Sequence, residues 1–428
     1  MPTPIRLPRR QFLKTAAAAF AAPYIIPQRC FGANERLTVA AIGVRNQGKG
    51  NMNAFIGKGC NMAAICDVDS EVRAAAVKIA SEKGQNPVEY TDYRKVLDRG
   101  DIDAVIITTP DHWHALMTVH SCQAGKDVYC EKPLTLTINE GRRMVNAARQ
   151  HKKIVQTGSQ QRSGNEFWKA ATLIRNGAIG KIEKILVGIP KSNYPGPLPA
   201  DSAPPAILDY DLWLGPAPLR PYNEKRVHYN FRFWWDYSGG QITNFGAHHL
   251  DIAQWALGMD DSGPVAVDGT ATFNQPNISE VTETCRITYT YADGTPVILG
   301  QLEKDIPGGI TFIGEKATLS VNRGKLSCTV EEILNQDPST LPIQLYRSKN
   351  HHQNFLDCIK SRELPVADVE IGHRSATACH LGNIVARLGR GVKWDPKAER
   401  FVGDEQAQSM TDRPYRAPWS HDMAFQPS

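Results

Sequence analysis

"LTVAAIGVRNQGKGN", residues 37 to 51, sets a β-branched, apolar run directly before a glycine-rich turn. A run of that composition reads as a strand buried in a parallel sheet. Gly43 and Gly48 hold the first and third positions of a G-x-G-x-x-G pattern, with Arg45 in the middle glycine's place. Alone the pattern is weak, since a structural glycine turn in another α/β fold would look the same. Its weight comes from "NMAAICD", residues 61 to 67, a second buried strand ending in Asp67, 24 residues past Gly43. An acid there accepts hydrogen bonds from ribose hydroxyls, and helix-start amides near Asn46, Gln47 and Gly48 meet a pyrophosphate. No arginine directly follows Asp67, and a carboxylate repels a 2′-phosphate, so NAD is favoured over NADP.

Outward from this unit, strand and helix patterns alternate. "SEVRAAAVKIASEK" and "DYRKVLD" read as helices and "IDAVIITTP" as a strand ending at Thr109 and Pro110. "DHWHALMTVHSCQAG" reads as a helix with Asp111 as N-cap and Gly125 as its stop. After the strand "KDVYC" come Glu131, Lys132 and Pro133, then a helix opened by the capping box Thr137-x-x-Glu140, then the strand "KIVQTGS". Such alternation predicts a doubly wound parallel sheet with its ligand at the carboxyl ends of the strands. Lys132 falls on that edge, and Pro133 restricts its backbone and permits a cis bond. A solvated lysine needs no such restraint, whereas a positioned proton donor does.

A chain of 428 residues, 41% hydrophobic and 22% charged, implies about two soluble domains. The formal charge of +5 is carried by Arg6, Arg9, Arg10, Lys14 and Arg29; removing those five leaves 44 basic against 44 acidic residues. The remainder is near neutral and has no footprint for nucleic acid. "PRRQFLK", residues 8 to 14, precedes an Ala-rich run too short to span a bilayer, as in a twin-arginine export signal or an ordinary secretory leader. The expected organisation is a twin-arginine signal over 1–32, an NAD-binding Rossmann domain over 33–155, a substrate and oligomerisation domain over 156–395 and an irregular tail over 396–428. Export through the twin-arginine machinery to the periplasm follows from that leader. Nine scattered cysteines with no C-x-x-C read as buried thiols.

The glycine turn with Asp67, "TTPDHWHA" (108 to 115), "EKP" (131 to 133) and "GGQITNFGAHHLD" (239 to 251) resemble the glucose-fructose oxidoreductase and inositol dehydrogenase family, Gfo/Idh/MocA. The resemblance runs from about residue 36 to about residue 390, and the leader together with "LWLGPAP" (212 to 218) looks like its exported branch. It implies an α/β protein: the Rossmann domain, then an α+β domain with a large open, mostly antiparallel sheet often used for homo-oligomer contacts. It also implies a catalytic lysine at Lys132 and a D-x-x-x-H motif over Asn244 to His248, with asparagine replacing the acid. His112 and His114 resemble the segment lining the nicotinamide, although His114 on a first helical turn also fits a cap-region role. With Gly43, Arg45, Asn46, Gln47, Gly48, Asp67, Thr109, Pro110, Glu131 and Lys132 they make up the expected cofactor set.

Nine prolines between 190 and 221 exclude regular helix and central strand. The loop they mark is a substrate lid, a subunit contact or a passive insertion. "NFRFWWDYSGG", residues 230 to 240, either offers Trp234, Trp235 and Tyr237 for stacking on a sugar, with Arg232 and Asp236 as hydrogen-bonding groups, or is core packing. On one helix Asn244, His248 and Asp251 share a face, and His249 is rotated about 100° away from it; His249 is then packed structure or a further substrate contact. The family's chemistry implies dehydrogenation of a secondary alcohol on a sugar or cyclitol, His248 taking the proton and Lys132 supporting the oxygen. Export favours a retained NAD, used either for net redox or for a redox-neutral glycoside cleavage. A noncatalytic sugar-binding module is supported only by Asn244. A histidine-built metal site lacks support from the family.

Overall fold

The computed structural model describes residues 36–426. The export-signal segment over 1–32 lies outside those residues.

Six short strands build the first sheet: β1 (Thr38–Ile42), β2 (Asn61–Cys66), β3 (Val88–Tyr90), β4 (Ala104–Ile107), β5 (Asp127–Cys130) and β6 (Val155–Thr157). All pair in parallel, in the order β3-β2-β1-β4-β5-β6. Strands β4 and β5 are buried at every position, as the unbroken apolar runs predict. Between the strands lie α1 (Gln47–Gly57), α2 (Ser70–Ser81), α3 (Tyr93–Leu97), α4 (Asp111–Gln123) and α5 (Ile138–Gln150). The capping box of α5 forms as expected, Thr137 and Glu140 each accepting from the other's backbone. Asp111 is not the cap of α4: Pro110 takes that place, and the Asp111 carboxylate instead accepts a 2.6 Å bond from the Ser238 hydroxyl. Strand order reverses between β1 and β4, and a doubly wound sheet opens its ligand crevice at such a reversal.

The second sheet has nine strands, β7 (Ile182–Ile189), β8 (Ala266–Phe273), β9 (Thr282–Thr290), β10 (Pro296–Gln301), β11 (Gly309–Gly314), β12 (Thr318–Asn322), β13 (Lys325–Cys328), β14 (Val392–Asp395) and β15 (Arg400–Phe401). Their order is β13-β12-β11-β7-β10-β9-β8-β14-β15, and only β7 with β10 is parallel. The helices of this half are α6 (Asn165–Arg175), α7 (Tyr210–Leu214), α8 (Gly240–Asn244), α9 (Gly246–Leu257), α10 (Glu331–Leu334), α11 (His351–Ser361), α12 (Val369–Leu388) and α13 (Glu405–Ser409). Helices α6, α9 and α12 cover one face of the sheet and share a core with Ile185, Val187, Ile287, Tyr289 and Leu299. Of the eight described cysteines none is paired, and seven are buried.

Two expectations change. The proline-rich stretch does hold a short helix, α7, in the proline-free window before Pro216, where the Asp209 side chain caps it by accepting from Leu212 N. The segment after 395 is not irregular throughout: β15 pairs with β14 and α13 follows, capped by Asp404. Beyond it, Tyr415 bonds to Glu140 and Trp419 packs edge-on to Trp113, so the chain end is tied to the first domain's helices. These are long-range contacts, which local periodicity does not encode. Helix α11 likewise returns to the first domain, Phe355 meeting Phe55 and Tyr129.

Candidate active site

The carboxyl ends of β1, β2, β4 and β5 open on one cavity of about 620 Å³. At its base Gly43 has φ 77°, where a side chain is strained. A Cβ on Gly48 would stand 2.0 Å from the Gly43 carbonyl oxygen, so the turn is tighter than any other residue allows. Asp67 accepts from Val44 N at 2.9 Å and Asp69 N at 3.0 Å. Each carboxylate oxygen thus keeps a lone pair for a ligand hydroxyl. Burial raises the Asp67 pKa, and the two amides oppose it. Arg45 does not crowd the turn, because its guanidinium swings to Asp69 at 2.6 Å. Asn46 and Gln47 line the cavity where α1 begins. The glycine cradle, the helix start and the acid all fit a dinucleotide. Gly48→Ala adds overpacking strain of about 1–3 kcal/mol; the expected result is NAD affinity lowered about 10-fold or more, with the far-UV spectrum kept, read by calorimetric titration with NAD.

Lys132 follows β5, and its bond to Pro133 is cis. Its ammonium donates to the Asn244 carbonyl at 2.9 Å and to Asn244 Oδ1 at 2.7 Å, leaving one N–H of three. Burial lowers its pKa to about 8; Glu131 and Asp111 pull it up while Arg232 and Arg323 push it down. Glu131 is buried and held by Asn51 Nδ2 at 3.0 Å and Gln47 Nε2 at 3.4 Å. Gly158 makes room for that carboxylate, since a Cβ there would approach it to 2.8 Å.

Asn244 and His248 do not lie on one continuous helix: the chain breaks at Phe245, between α8 and α9. His248 nevertheless lines the same cavity as Lys132. Its ring is neutral, its pKa well below the usual value through burial and then the charges of Lys132 and Arg323. His248 Nδ1 is buried with no partner among the described residues. Gln161, with its amide turned to satisfy both neighbours, donates to the His248 carbonyl at 3.0 Å and accepts from Arg323 Nε at 3.2 Å. Asp251 belongs to a buried ion pair with Arg162.

Of the remaining expected residues, Thr109, Pro110 and Arg232 line the cavity with the lysine. His112 and His114 do not. His112 Nε2 faces the Trp213 carbonyl at 3.1 Å, and the ring borders a second cavity of about 240 Å³. Both His114 nitrogens face carbonyl oxygens, Pro133 at 2.8 Å and Thr109 at 2.9 Å, which requires both to donate. Burial opposes that charge, but Cys130, Asp111 and the Pro133 carbonyl outweigh it and lift the pKa to about 10. His114 therefore braces the lysine's loop. His249 turns to the Gly188 carbonyl at 3.0 Å. Trp234 and Tyr237 are core residues, Trp235 lies between the guanidiniums of Arg387 and Arg413, and Asp236 pairs with Arg220 at 2.6 Å. Trp234, Trp235 and Tyr237 are packing, not a sugar platform. Sequence reading missed Gln160, Gln161, Phe167, Tyr229 and Arg323, all of which line the main cavity. The two glutamines follow β6, so the strand-end rule would have found them. Arg323 sits in the turn between β12 and β13 and carries no local signal. Among the described residues no group of three or more His, Cys, Asp or Glu is arranged to hold a metal ion.

A parallel sheet of this order with a dinucleotide cradle, joined to a mostly antiparallel sheet, defines a two-domain NAD-binding oxidoreductase. Residues 37–159 match the model of the oxidoreductase family's NAD-binding Rossmann fold, and residues 196–421 match that of its C-terminal alpha/beta domain. The chain belongs to the Gfo/Idh/MocA oxidoreductase family. It is 31% identical over 154 residues to a glycosyl hydrolase family 109 protein of Shewanella pealeana, covering 35% of this chain and 34% of that one. The match therefore spans about a third of that relative. It is 26% identical over 333 residues to the uncharacterized oxidoreductase YrbE of Bacillus subtilis, covering 75% and 83%. The WlbA dehydrogenase from Bordetella pertussis, solved with NADH and UDP-GlcNAcA, shares the fold at TM-score 0.63 and 20% identity, over 84% of this chain and 99% of that one.

Proposed function

We propose that the protein moves hydride between a secondary alcohol of a sugar or cyclitol and a tightly retained NAD. One observation carries the reading: Lys132 and His248 border the same cavity as Gly43 and Asp67. NAD, when bound, supplies the hydride acceptor. The neutral His248 takes the hydroxyl proton, and the free N–H of Lys132 donates to the same oxygen as negative charge grows on it. Asn244 aims that ammonium. Retention is supported by the proline-rich loop, which bonds across the ribose-acid turn through Ile207 O to Ser70 N at 2.9 Å and Asp209 N to Val68 O at 3.0 Å. Leu208, Leu212 and Trp213 from the same loop line the cavity. Mass spectrometry of protein purified without added cofactor should find about one NAD per chain; protein free of NAD that does not take it up defeats the proposal.

The pH profile should carry the same signature. Oxidation needs Lys132 charged and His248 uncharged, so the rate should fall as pH rises through about 8 and hold level on the acid side to well below 6.5. Lys132→Arg, which does not titrate in this range, should lose the alkaline limb at a lower plateau rate; initial rates across a pH series read both.

A second reading is favoured by the likeness to the glycosyl hydrolase family 109 protein. Transient oxidation of a glycoside acidifies the neighbouring C–H, the aglycone leaves by elimination, water adds, and the hydride returns with no net redox change. A keto-sugar product supports the first reading and a released aglycone the second. The twin-arginine pattern supports export to the periplasm, where a cofactor must be kept and recycled. A homo-oligomer is supported by the nine-stranded sheet, where Cys285, Ile287 and Tyr289 of β9 face the helices while Thr284, Arg286 and Thr288 on its other face stay partly exposed.

A further inference from the structure

Lys132, Arg232 and Arg323 line the same cavity, the two arginines within electrostatic reach of the lysine, and none of the three forms an ion pair among the described residues. The Arg232 guanidinium lies over Tyr229 and Phe231, 4.5 and 4.6 Å from the ring centres, and its Nη1 donates only to the Tyr229 carbonyl. Arg323 lies 5.4 Å from the Phe245 ring centre and bonds to the Gln161 amide oxygen. They come from separate parts of the fold, one from the segment after the proline-rich loop and one from the turn between β12 and β13. Both act electrostatically on Lys132, whereas Arg45 acts on Asp67 at the ribose-acid end.

The acids nearest these cations are buried and hydrogen-bonded elsewhere, and although Asp111 feels the charges of Arg232 and Lys132, it makes no ion-pair contact with either. Asp111 accepts from the Ser238 hydroxyl, Glu131 from Asn51 and Gln47, and Glu166 from Gly324 N at 3.0 Å. The acceptors here have partners, while most of the guanidinium N–H groups have none. A guanidinium seated on aromatic rings without an ion-pair contact gains most from a planar or tetrahedral oxyanion, which it binds through paired N–H groups. A neutral hydroxyl would use one donor and leave the charge uncompensated.

We infer that the substrate is an acidic carbohydrate, bearing a carboxylate, sulfate ester or phosphate ester that Arg232 and Arg323 hold while Lys132 and His248 address a nearby hydroxyl. The inference rests on the carbohydrate reading above and narrows it. It is tested by calorimetric titration of the full, NAD-loaded chain with glucose, glucuronate, glucose 6-sulfate and glucose 6-phosphate, which also separates the three kinds of anion. At least one anionic probe should bind about 10-fold or more tightly than glucose. Arg323→Gln, at an exposed position that does not threaten folding, should remove most of that preference, and Arg323→Lys should restore part of it; Arg232→Gln should act in the same direction. Glucose binding as tightly as every anionic probe, no binding by any anionic probe, or a preference unchanged in both glutamine variants overturns the inference. The NAD content of the same samples reports on the redox reading separately, because binding is measured without turnover.

Discussion

Lys132→Ala should lower kcat by about 10²- to 10³-fold, the usual cost of removing one preorganised donor from a developing oxyanion, while the bound NAD stays in place. The loss follows from the geometry of one ammonium group. Two of its N–H groups are spent on Asn244, at 2.9 and 2.7 Å, and the third is the only one left to meet substrate. Removing it also strips a positive charge from beside His248, so the imidazole's proton affinity rises and the acid limb of the pH profile should move upward. The shift reports the proximity of the two groups, and the fall in kcat reports the donor's role. The measurement is pre-steady-state reduction of the bound NAD as a function of pH, with cofactor content determined on the same protein. Turnover within a few-fold of the parent would remove Lys132 from the chemistry.

Asn244→Asp separates positioning from charge at the same place. The carboxylate would keep the contact to the ammonium and add an opposite charge, so Lys132 should titrate above its present value of about 8. In the proposed chemistry the asparagine replaces the acid of the D-x-x-x-H pattern without loss, because a neutral His248 needs no counter-charge; burial lowers the lysine's pKa, and no carboxylate at position 244 opposes it.

Five of the first sheet's six strands were legible because their information is local; β3, three residues with a glutamate at the centre, gave no apolar run to read. Apolar runs ending in Gly43, Asp67, Pro110 and Cys130 mark both the strands and the edge where the ligand binds, and the Thr137–Glu140 box states where a helix starts. Lys132 and His248 were also within reach, since each lies beside a recognisable pattern. Residue identity alone did not decide exposure. Trp234 and Tyr237 are as suited to a core as to a sugar ring, and only the packing around Phe231, Phe233 and Val227 decides for the core. His112 and His114 sit in the expected segment, but α4 is buried nearly throughout, so their rings turn into protein instead of ligand. Arg323 was invisible because a turn arginine has no periodicity, and its role depends on β12 and β13 being carried to the cavity by the sheet.

Asp251→Ala should cost about 3–5 kcal/mol of stability, because it strands a buried guanidinium. Arg162 and Asp251 are each only 1% exposed in their side chains, and they meet through Nε to Oδ2 and Nη2 to Oδ1, both at 2.8 Å. Ser375 on α12 donates to the same carboxylate at 2.7 Å, so the pair ties α9 to the segment after β6 and to the long helix at once. Asp260 also contacts Arg162 but is 34% exposed; Asp260→Ala, with solvent to replace the lost partner, should cost about 1 kcal/mol or less. The contrast separates burial from charge count, since both variants delete one carboxylate from the same arginine. Equilibrium urea unfolding of the two variants reads the difference directly, and equal midpoints would show that the buried pair does not hold this region together. The double variant Arg162→Met, Asp251→Leu should recover most of the loss, as buried pairs commonly do when both charges leave. His248 stands one turn before Asp251 on α9, so the single variant should also lose turnover at denaturant concentrations too low to unfold it, with NAD still bound to the other domain's glycine turn.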